Sequence, residues 1–174
     1  RNGESGAELV LNADSAAMLP LEVAMRPFAA LLLVVVFGPA ARSQTTAASA
    51  LALKPDQIPA ECKVIEGNFP VDIQIAILWK NPELYKSVIP VPVAKSAQSF
   101  ACQGEKGTVY FFQFAGEADR KSAATFIKPL LWGEPGPTPG HPELVLEAGD
   151  VLTVVSFRKA PKALLTALEG HHHN

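Results

Sequence analysis

The sequence predicts an α+β domain in which an antiparallel sheet carries helices packed on one face, a ferredoxin-like or related sandwich. Three observations predict it. Two pairs of apolar segments are split by short turn-forming runs, at residues 104–107 and 148–150, as antiparallel hairpins are. Between the two hairpins, Ala123, Ala124, Phe126, Ile127, Leu130 and Leu131 recur at helical spacing. A second amphipathic stretch at 160–168, with Pro161 in its first turn, closes the domain. Strands joined by tight turns pair antiparallel, and strand–helix alternation is not sustained; an α/β fold with a partly parallel, doubly wound sheet is the alternative.

Taken in order, the elements begin near Pro55, where residues 55–58 suit a helical turn, followed by a short strand at 63–66 that ends at Gly67-Asn68. Val71, Ile73, Ile75, Ile77 and Trp79 alternate with period two, so 71–79 reads as a strand, although Ala76 and Leu78 on the other face keep a buried helix open. Asn81-Pro82-Glu83 marks a helix start, with Asn as N-cap and Pro at the first helical position, and a short helix should run to about Val88. In 89–93 two prolines remove alternate backbone donors along one edge. An edge strand or polyproline stretch is expected, with a peptide-docking edge as its functional version. Strands at 98–103 and 108–115 follow, the second rich in aromatic rings. The long helix should end by Gly133, with a kink or an end near Ile127 where Lys128-Pro129 intervenes. Residues 134–142 form a Pro- and Gly-rich loop, and 143–147 with 151–157 make the second hairpin.

The chain has 174 residues, 48% of them apolar, and a formal net charge of −2. That suffices for one core, and the balanced charge, without basic blocks, speaks against a nucleic-acid partner. Residues 25–43 carry the layout of a secretory signal peptide: Arg26, an apolar run over 28–37, the breakers Gly38 and Pro39, and small residues at Ala41 and Ser43. The apolar run is about half the ~20 residues of a transmembrane helix, so membrane contact is expected only transiently, through this segment. The organisation expected is thus an upstream or mis-assigned stretch at 1–24, the signal peptide at 25–43, a flexible lead at 44–54, one domain at 55–170 and a tail at 171–174. Export to the periplasm or the extracellular space fits the two cysteines, Cys62 and Cys102, which are expected to form one disulfide.

Chemistry-bearing patterns are sparse. The residues 133–140 lack the Gly-Lys-Ser/Thr ending of a phosphate loop, and Glu117 and Asp119 would repel an anion from the start of the long helix. His141 is the one imidazole within the domain, His171, His172 and His173 lying at the end, and no Gly-x-Ser-x-Gly elbow presents a nucleophile. No catalytic residue, cofactor or metal site is assigned. Trp132 and His141, flanking the loop, are the candidate binding surface. The expected function is that of an exported, non-enzymatic binding or accessory module for a protein or small-molecule partner. The alternative is a small exported hydrolase working through carboxylates or His141, and a third possibility is an apolar ligand enclosed between sheet and helix.

Overall fold

The structure, a computed structural model, describes residues 50–133 and 135–172. The upstream stretch, the signal-peptide segment and residues 44–49 lie outside the described residues. Five strands form one sheet: β1 (Cys62–Ile65), β2 (Ala94–Cys102), β3 (Glu105–Gln113), β4 (Leu144–Ala148) and β5 (Val151–Ser156), in the spatial order β1-β2-β3-β5-β4. All neighbouring pairs are antiparallel, which sets aside the doubly wound alternative. Among the described residues the α-helices packed on this sheet are α1 (Ile73–Lys80), α2 (Glu117–Trp132) and α3 (Lys162–His172), with short 3-10 turns at Pro55–Gln57 and Pro82–Tyr85.

Side chains alternate across a strand, so the aromatic run of β3 feeds two cores. Tyr110, Phe112 and Phe114 point to one face, where Leu152, Val154, Ile75, Leu78, Ala123, Ile127 and Leu131 bury them beneath α1 and α2. Val109 and Phe111 point to the other, where they meet Phe100, Val155, Phe157, Leu164 and Leu168. Helices therefore cover both faces of the sheet, and the expectation of helices on one face is corrected. The reason is visible in β3: with every residue from Gly107 to Phe112 buried, neither face could be left to water. Leu51 and Leu53 also join the second core, so 51–54 belongs to the packed body and not to a flexible lead.

Residues 73–80 form a helix, contrary to the strand reading of 71–79. Asp72 supplies an N-cap, its side chain accepting the Gln74 N–H at 2.8 Å, and the buried Ile75, Ala76 and Leu78 satisfy a helix pressed onto a core. The segment 82–88 is a 3-10 turn followed by further turns, and 89–93 forms no strand; β2 instead begins at Ala94, four residues before the expected start. The first hairpin turns over two residues, Gln103 and Gly104, both at positive φ (50° and 90°), the type I′ geometry whose twist matches the strands. Gly107 is thereby inside β3. Helix α2 runs through Pro129 and ends on Gly133 in the left-handed conformation at φ 63°. Helix α3 extends to His172, so His171 lies in its last turn and not in a tail.

Candidate binding site

A row of polar side chains crosses the first face of the sheet and fixes the path of the chain from β1 to α1. Ser99, Thr108 and Ser156 lie on β2, β3 and β5 in register, with Glu143 just before β4, and all four are buried. Thr108 Oγ1 accepts the Phe69 N–H at 2.9 Å and lies 2.7 Å from Ser99 Oγ, which donates to the Gly67 carbonyl at 2.8 Å. Ser156 Oγ accepts the Val71 N–H at 2.8 Å, and Glu143 Oε1 accepts the Asp72 N–H at 2.7 Å and the Ser156 hydroxyl at 3.4 Å. Residues 67–72 thus find hydrogen-bond partners in side chains where no strand pairs with them. Satisfying those partly buried backbone groups is what the row does.

The same row decides what surrounds His141. Its Nδ1 is 3.7 Å from Asp72 Oδ2, and the ring is half exposed. Glu143, two residues further along the chain, and Ser156 are fully buried and hold the backbone of 71–72 through Glu143 Oε1 and Ser156 Oγ, so no exposed hydroxyl is brought to the imidazole by this row, while Glu143 Oε2 is buried with no hydrogen-bond partner among the described residues. Trp132, the other loop-flanking candidate, is 8% exposed and donates its indole N–H to the Glu143 carbonyl at 2.9 Å. It ties the end of α2 to the start of β4. Among the described residues no group of three His, Cys, Asp or Glu side chains is placed to hold a metal ion.

Cys62 and Cys102 form a disulfide between directly opposed positions of β1 and β2, with Cα atoms 4.2 Å apart, the close spacing of a non-hydrogen-bonded antiparallel pair. Among the described residues no helix is long and apolar enough to cross a membrane.

An open groove of about 830 Å³ lies between the turn leaving α1 and the strand entering β2. One wall is Lys80, Asn81, Pro82, Glu83 and Leu84; the other is Val91, Pro92, Val93, Ala94 and Lys95. Prolines shape both walls, since each fixes its own φ and biases the preceding residue to an extended conformation. Leu84 is 68% exposed and Val93 58%, and Val91 on the second wall is exposed as well, so apolar side chains of both walls are open to solvent. Lys95 ends the second wall. Its Nζ donates to the carbonyls of Trp79 at 2.6 Å and Lys80 at 3.1 Å and sits 5.5 Å from the centre of the Trp79 ring, capping the C-terminus of α1. Burial there lowers the Lys95 pKa from its ordinary value.

Sequence reasoning found the proline-marked wall at 89–93 as a possible docking edge but not the opposite wall, because Leu84 was placed inside a regular helix. The polar row was missed altogether. Comparison with protein families, characterised proteins and solved structures gives no match for this chain, so no residue role is carried over from a relative.

Proposed function

We propose that the protein is an exported accessory module that captures a segment of a partner protein in the groove between Lys80–Leu84 and Val91–Lys95. The observation that carries this reading is the pair of facing walls with Leu84, Val91 and Val93 open to solvent. Exposed apolar side chains gain about 25 cal/mol per Å² when a partner covers them, and here they cost the free protein that contact. Export is supported by the cystine, which persists in oxidising compartments, and by the signal-like layout of residues 25–43.

The test is photo-crosslinking. A photoreactive amino acid at Val93, with a control at the exposed Glu169 on α3, is expressed in the protein's own source and irradiated in the exported fraction. A discrete adduct from the Val93 position and none from Glu169 is the expected result. Equal labelling from both positions would remove the groove from consideration.

A further inference from the structure

We draw no further inference here: the strongest candidate, the side-chain cluster of Asp72, His141 and the buried Glu143 where the chain entering α1 meets the start of β4, belongs to the polar row already described, and among the described residues it is not placed to hold a metal ion.

Discussion

Phe157 occupies the space that a side chain on Gly107 would need: a Cβ built on the glycine lies 2.4 Å from the ring and 2.4 Å from the Ser156 carbonyl oxygen. The glycine near the start of β3 is therefore a packing device, giving the aromatic ring just after β5 a seat against the backbone. Gly107→Ala must displace either the ring or the neighbouring strand, and overpacking of this kind costs about 1–3 kcal/mol. Urea denaturation should show a loss in that range, with the midpoint shifted and the slope unchanged.

Thr108 is the pivot of the polar row, accepting from Phe69 N–H and meeting Ser99. Thr108→Val keeps the shape and removes the hydroxyl, stranding a backbone donor, a change that costs about 1–3 kcal/mol. Hydrogen exchange localises it: the Phe69 amide should exchange faster in the variant, while amides at the β4–β5 turn keep their rates.

Tyr110 is buried, and desolvation pushes its pKa from 10.0 up to about 12, against the opposing pull of the hydrogen bond its hydroxyl donates to Asn68. The folded state holds this proton more tightly than the unfolded chain. The resulting contribution is whole below the unfolded value and is lost as pH climbs from about 10 to about 12, so stability falls with rising pH in that window. Ultraviolet difference titration should place one phenol near the upper figure, and Tyr110→Phe should abolish that transition and flatten the corresponding part of the stability profile.

Reduction of Cys62–Cys102 opens a loop spanning a sequence separation of 40 residues. The chain-entropy relation puts its closure at about 4 kcal/mol, a large share of a small domain's stability. Equilibrium unfolding of the Cys62→Ala/Cys102→Ala variant should show a loss of that order, with β1, the short edge strand held by the bridge, the first element to lose exchange protection.

How much of this was legible in the sequence follows from the range of the interactions. The second hairpin and the helix ending at Gly133 were readable because their signals are local: a turn at 148–150, and a glycine that accepts positive φ. The first hairpin was recognised but its turn misplaced by the glycine at 107, whose purpose is contact with Phe157, a residue 50 positions away in the chain. Helix α1 was misread because alternating isoleucines carry the period of a strand, whereas the deciding feature is an Asp72 cap and a core waiting above β3. The second sheet face was overlooked for a similar reason: Leu51 and Leu53 look like part of an Ala-rich lead until Phe100 and Phe111 are placed beneath them. Of the candidate site, the prolines at 90 and 92 were conspicuous, but a groove has two walls, and the second comes from a segment whose 3-10 form no local pattern required.

The groove's exposed apolar side chains are spare for folding and needed for binding, so Leu84→Asp tests the account most directly when stability and Val93 photo-adduct yield are measured on the same preparation. The account predicts stability within about 0.5 kcal/mol of the parent protein, as for an ordinary surface substitution, and disappearance of the adduct. An adduct formed at undiminished yield, with the fold intact, would contradict it.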